Sequence, residues 1–261
     1  MSDEPNDADL RKFYRESYLP YHLLYGDFED KAQRRYSLVQ SAVGTRPGSL
    51  LDVGCSYGFF LSVARTNGWT VKGVEMGSRP AEYARTRYGL EVFEGPLQQA
   101  DFADSSFDVV TMFHVIEHAQ NPLDLLSTIG RVLKKGGSLI MLTPNIESLH
   151  SQLLGKGWTW LSPPDHLFYF SRRSMEFALR KCGFRTASLR SITVDADNLL
   201  VQLASTLVKT RQTAKKSQVA FRFAGLFRLA SLITDGLLSP ERLFCSFTRR
   251  EDEILAVATK I

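Results

Sequence analysis

The most chemically specific stretch of the chain is Leu51-Asp52-Val53-Gly54-Cys55-Ser56-Tyr57-Gly58, with Glu75 further on. A short apolar run that ends in closely spaced glycines lets backbone amides, and the start of the helix behind them, approach a ligand that a Cβ would hold away. Glu75 closes the next apolar run, about 20 residues later, where a carboxylate is placed to accept both hydroxyls of a ribose. Together these features predict a bound nucleoside. Spacing narrows the choice. A dinucleotide fingerprint needs glycine at its first, third and sixth places, and those places hold Gly54, Ser56 and Phe59. NAD is therefore disfavoured, which leaves a nicotinamide-dependent oxidoreductase as the alternative chemistry. Counting first, third and fifth instead gives Gly54, Ser56 and Gly58.

Histidines form the second group of candidates. His114 and His118 stand in HVIEH, and His166 stands in PPDHLFYF. Both segments leave the sheet at the edge where the glycine turn lies, which favours them over His22 and His150. An imidazole titrating near neutral pH is the usual group to take a proton from a hydroxyl, so His166 and His118 are the candidate bases. For His118 the plainer alternative is a buttress of its loop. Trp158, Trp160, Phe168 and Tyr169 around His166 read as the wall of a substrate pocket. The H-x-x-E-H spacing also matches an inverted zinc-protease pattern. That pattern requires a helix, whereas a strand supplies its first residues here.

The elements that must position these groups follow from hydrophobic periodicity. SLLDVG (49–54), TVKGVE (70–75), LEVFEG (90–95), FDVVTMFHV (107–115) and SLIMLTP (138–144) read as strands, separated by amphipathic helical stretches. Strands alternating with helices predict a doubly wound α/β fold with a parallel sheet. Right-handed crossovers then bring the carboxyl ends of the first, second and fourth strands to one edge, where a ligand sits at the topological switch point. FRTASLRSITV and DEILAVATKI add two strands, giving a seven-stranded Rossmann-like sheet in a domain spanning 47–261. A helical insertion over 197–243 separates those last two strands.

Residues 1–46 read as a helical cap, with Tyr14, Tyr18, Tyr21 and Tyr25 spaced along one helical face. The stripe is either a packing surface or a lid over the site, in which case Tyr21 joins the substrate pocket. In the insertion, Val219, Phe223, Leu226, Phe227, Ala230 and Ile233 form one apolar stripe. It reads as a cap over the pocket, or else as a surface helix through which 209–233 meets anionic lipid. The net charge of +4 conceals a basic segment, because Lys209, Arg211, Lys215, Lys216, Arg222 and Arg228 fall in an acid-free stretch. The rest of the chain is slightly acidic, so no nucleic-acid partner is expected. Three widely spaced cysteines make neither a disulfide framework nor a zinc knuckle. The polar, acidic start lacks the form of a signal peptide, and no apolar run is long enough to span a bilayer, so a cytoplasmic protein is expected.

In order and spacing, the blocks LLDVGCSYGFFL, VKGVEM, FDVVTMFHVIEH, RVLKKGGSLIMLTPN and PPDHLFYFS with LRKCGF resemble the class I S-adenosylmethionine-dependent methyltransferases. They are most similar to the bacterial group that includes the ubiquinone-biosynthesis O-methyltransferases, over roughly 49–185. The resemblance implies S-adenosylmethionine as cofactor, a small-molecule acceptor and methylation of a hydroxyl oxygen. It also implies that Asp52 helps hold the methionine amino group and Glu75 the ribose. Gly54, Cys55, Ser56, Gly58 and Met76 line the cofactor, Leu97 packs on the adenine, and Phe113 and His114 lie along the methionine part. Ser56 departs from the family's usual glycine. Some relatives hold a divalent ion with E-x-x-E-H and a further histidine. Glu117, His118 and His166 match part of that set, but His114 replaces the first acid, and no metal is assigned. A non-catalytic cofactor-binding subunit of the same fold is a further alternative, opposed by the intact Asp52 and Glu75.

Overall fold

In the computed structural model, residues 28–193 and 251–261 are described. The stripe Tyr14, Tyr18, Tyr21 and Tyr25 and the insertion 197–243 lie outside them. Helix α1 (Phe28–Val43) leads into β1 (Ser49–Val53), α2 (Phe59–Thr66), β2 (Thr70–Glu75), α3 (Ser78–Tyr88) and β3 (Val92–Glu94). Then come β4 (Phe107–Phe113), α4 (Pro122–Val132), β5 (Leu133–Pro144), α5 (Leu149–Leu154), α6 (Arg172–Lys181), β6 (Phe184–Ile192) and β7 (Glu253–Lys260). The strands form one sheet in the order β3-β2-β1-β4-β5-β7-β6. All pairs from β3 to β5 are parallel, whereas β7 runs antiparallel to both β5 and β6.

Local chemistry sets the boundaries. Pro122 opens α4, with the Asn121 side chain accepting from the Asp124 amide, and Gly89 closes α3 in the left-handed conformation that a Cβ disfavours. Two apolar layers cover the sheet. On one face, α1, α2 and α3 bury Tyr36, Val39, Phe60, Leu61 and Ala84 against Leu50, Val109 and Ile140. On the other, α4 and α6 bury Leu126, Ile129, Met175 and Leu179 against Leu51, Val110 and Met141. Strands covered on both faces are apolar almost throughout, and the nearly continuous burial of β4 is the outcome.

Strand boundaries depart from the sequence reading most at β3 and β5, and β4 ends at Phe113 rather than at 115. β3 spans only Val92–Glu94 instead of 90–95. β5 starts at Leu133 rather than at Ser138, because the buried Leu133 pairs with Phe107 before the glycine pair and the ladder resumes at Val109 with a register shift. The antiparallel course of β7 matters most for the site. Its first residue, Glu253, lies opposite Pro144, so β7 delivers its beginning to the same edge at which β1, β2, β4 and β5 end.

Candidate active site

The turn after β1 is built to sit against the end of β2. The amides of Gly54 and Cys55 both donate to the Val74 carbonyl (2.8 and 3.0 Å). Gly54, Ser56 and Gly58 all take positive φ (75°, 49° and 79°), a conformation that Ser56 adopts against the ordinary preference of an L residue. At Gly58 a Cβ would lie 2.6 Å from Leu90 Cδ1 and 2.9 Å from Ala84 Cβ, so packing as well as backbone geometry requires glycine there. The Glu75 carboxylate accepts the Ser56 amide through Oε2 and the Gly77 amide through Oε1, each at 2.8 Å. Burial pushes its carboxyl above the ordinary range, against the backbone amides of Gly77, Ser56 and Met76. Each oxygen keeps a lone pair for a further donor.

Asp52 lies one strand residue behind the turn and is almost wholly buried. Burial pushes its carboxyl up to about 7, against the Thr111 hydroxyl, which donates at 2.7 Å, and the charge of Arg35. Arg35 was not among the residues singled out from sequence. It reaches over from α1 and sets its guanidinium 5.0 Å above the Phe113 ring, whose edge meets Phe60. A signal existed: Ala32, Tyr36 and Val39 are the buried stripe of α1, and Arg35 is the cation spaced three and four residues from its ends. Leu97 is buried in a short 3₁₀ turn after β3, within the apolar layer that also holds Val53 and Val74.

The second half of the site forms beyond β4 and β5. His118 donates through Nδ1 to the Asp165 carbonyl (2.9 Å), and the same nitrogen is 3.2 Å from the Asp165 carboxylate. His166 donates through Nδ1 to the Trp160 carbonyl at 2.6 Å. A carbonyl can only accept, so both imidazoles carry a proton on Nδ1. The two rings meet edge to face at 4.6 Å. Their environments push them apart. Burial opposes a charge on His118, yet the bond and charge of Asp165 and the charge of Glu117 raise it above the ordinary 6.5. Burial first, and then the charge of His118, lower His166 below that value. The two neighbouring imidazoles are thus shifted in opposite directions.

Glu117 closes the cluster. Its Oε2 accepts the Thr143 hydroxyl at 3.0 Å, and its Oε1 is 3.4 Å from His114 Nδ1. Burial pushes this carboxyl up, but the His114 contact and the charges of His114 and His118 outweigh it and hold it below its ordinary value. One ligand atom each from Glu117, His118 and His166 fall within 4.8 Å of one another. A histidine, His114, stands in place of the first acid, and there the set departs from the metal-holding pattern. His114 itself, with φ of 57°, stacks on Trp160 at 4.8 Å and 11°.

The structure thus brings the predicted residues into two adjoining groups. Asp52, Gly54, Cys55, Ser56, Gly58, Glu75, Leu97 and Phe113 gather at the ends of β1, β2 and β4. His114, His118, Trp160, His166 and Tyr169 gather next to them, with the His166 and Tyr169 rings 6.1 Å apart. Trp158 is fully buried beneath the second group, and Phe168 turns its half-exposed ring towards Phe170. His150 is buried and paired with Asp252. Tyr21 lies outside the described residues.

A family model described as a methyltransferase domain matches residues 28–189. The chain belongs to this methyltransferase family. Among its relatives is the ubiquinone biosynthesis O-methyltransferase of Pseudomonas savastanoi pv. phaseolicola, 29% identical over 117 residues, which are 42% of this chain and 50% of that protein. The chain spans about half the length of the curated relatives it matches. Among solved structures, a SAM-dependent methyltransferase from Archaeoglobus fulgidus superposes with a TM-score of 0.59 at 18% identity, covering 92% of this chain and 100% of that one. Geranyl diphosphate C-methyltransferase from Streptomyces coelicolor, solved with Mg2+, geranyl diphosphate and S-adenosyl-L-homocysteine, superposes with a TM-score of 0.56 at 15% identity over 88% and 79% of the two chains. At these identities the structural likeness is one of fold. The methyltransferase fold is thus borne out in a seven-stranded sheet. Among the described residues no helix is long and apolar enough to cross a membrane.

Proposed function

We propose that this methyltransferase binds S-adenosylmethionine at the β1–α2 turn and methylates a hydroxyl oxygen of a small molecule, with His166 as general base. The observation that carries the reading is the Glu75 carboxylate, held by the Ser56 and Gly77 amides at the tip of β2 beside a turn of three positive-φ residues. That arrangement suits the vicinal hydroxyls of a ribose. Asp52 near the end of β1 and Arg35 midway along α1 suit the ammonium and carboxylate of an amino acid. A sulfonium cofactor supplies an already activated methyl group, so the protein's task is to hold the acceptor in line, exclude water and take up a proton.

His166 meets the last requirement. Its Nδ1 is committed to the Trp160 carbonyl, its Nε2 carries the lone pair, and its lowered pKa keeps it unprotonated at neutral pH. His118, raised by its acidic neighbours, serves as a donor to the acceptor rather than as the base. Oxygen as the acceptor atom follows the likeness to the ubiquinone O-methyltransferases, and a base of lowered pKa is the group a hydroxyl needs.

The test is methyl transfer from labelled S-adenosylmethionine to a panel of phenols, catechols, alcohols and amines, with wild type and His166→Gln. Incorporation into a hydroxyl acceptor, about 100-fold slower in His166→Gln and unchanged in chelator, is the expected result. Incorporation only into amines, or full activity in His166→Gln, contradicts the assignment. Activity lost in chelator and restored by a divalent ion would instead favour a metal site at Glu117, His118 and His166.

A further inference from the structure

We infer that Glu253 is a positioning residue of the acceptor site, clamping the His114 ring so that it supports Trp160 and, through Trp160, His166. Glu253 is the first residue of β7 and is completely buried. Because β7 is antiparallel to β5, this beginning is what reaches the ligand edge, opposite Pro144 and Ile192 on its two neighbouring strands. Its Oε1 lies 2.9 Å from His114 Nε2, while Glu117 Oε1 faces Nδ1 of the same ring from the other side. The ring is therefore gripped at both nitrogens by carboxylates from two elements far apart in sequence.

What this grip holds is a strained unit. His114 has φ of 57°, a conformation that costs an L residue about 1 kcal/mol and persists where the surroundings over-determine it. Its amide donates to the Leu142 carbonyl, which fixes the backbone, and the two carboxylates fix the ring. Trp160 lies flat on that ring at 4.8 Å and near-parallel to His166 at 6.0 Å. The Trp160 carbonyl in turn holds His166 Nδ1, the bond that leaves Nε2 bare. Glu253 acts on His166 through His114 and Trp160. The inference rests on the proposed role of His166 only for its consequence in catalysis, since the chain of contacts is a matter of structure.

The test needs no acceptor. The chain has three tryptophans and five histidines, so indole N–H and histidine ring-nitrogen resonances are few enough to assign by single substitutions. In wild type, His166 is expected as a single tautomer with Nδ1 protonated. In Glu253→Ala the Trp160 indole resonance moves and His166 becomes a tautomer mixture, while Trp69 and Trp158 keep their positions. Glu253→Gln, which keeps an oxygen facing Nε2, retains the wild-type Trp160 and His166 signals, a rescue that a merely structural role does not require. Wild-type Trp160 and His166 signals in folded Glu253→Ala overturn the inference. Should that protein not fold, the same readings on His114→Ala decide, and wild-type signals there overturn it equally. Titration of each protein with S-adenosylhomocysteine separates the two ideas. Affinity within about twofold of wild type is expected in Glu253→Gln, whereas wild type that fails to bind contradicts the proposed function and leaves the resonances to judge Glu253.

Discussion

Asp52 carries a conflict between folding and binding. Its carboxyl is raised from 3.8 to about 7, so the fold favours the protonated form. Stability from that preference is complete below about pH 4 and is lost as pH rises towards 7, by no more than about 4 kcal/mol. Asp52→Asn keeps an oxygen for the Thr111 hydroxyl and removes the titration. In urea unfolding, the variant should exceed wild type by a margin that widens from pH 5 to pH 8, while cofactor affinity falls. A margin independent of pH contradicts the account of Asp52. His166 titrates the other way. With its pKa lowered, activity on a hydroxyl acceptor should be at its plateau by neutral pH and fall as pH drops below about 6.5, the ordinary histidine value. The acids Asp52 and Glu75 and the histidines 114 and 118 were legible in sequence because they sit in or just after strands whose direction the motif fixes, and His166 because it stands in the PPDHLFYF block. Arg35, Asp165 and Glu253 were not. Their roles depend on side chains reaching across elements; the spacing of Arg35 along the α1 stripe marks its face, but not the partner it reaches.

Element boundaries show the same division. The glycine turn was legible because positive φ and close packing leave few residue choices. At Gly58 the demand is double, since φ is 79° and the space for a Cβ is taken by Leu90 and Ala84. Gly58→Ala should cost about 2 kcal/mol or more in thermal or urea unfolding and weaken cofactor binding at least tenfold. Wild-type affinity in this variant would mean that the turn does not meet the ligand. Ser56 shows that a small residue can bear the left-handed conformation when its amide is bonded to Glu75. The early start of β5 was hidden for an opposite reason. Leu133 is drawn into the sheet by Phe107, a tertiary pairing that overrides the helix-ending pattern of Lys134 to Gly137.

For the molecule as a whole, the sequence indicated seven strands and a parallel centre, but not that β7 inserts between β5 and β6. That order is decided by burial. Ile254 to Ala258 are almost wholly buried and pair on both sides, with Leu139–Thr143 and with Thr186–Ser191. Deleting residues 251–261 should leave β5 and β6 each with an unpaired edge, that of β5 apolar, and yield aggregated protein on size exclusion. A monomeric product with cooperative unfolding would contradict this placement. The same strand brings Glu253 to His114, at the edge of the sheet where β1, β2, β4 and β5 end. The central claim, that this fold holds S-adenosylmethionine by its ribose, is tested most directly by calorimetric titration of wild type and Glu75→Gln with S-adenosylmethionine, S-adenosylhomocysteine and NADH. Micromolar binding of both sulfur nucleosides by wild type, at least tenfold weaker in Glu75→Gln and absent for NADH, is the predicted result. No binding of either sulfur nucleoside, or binding of NADH alone, would contradict the account.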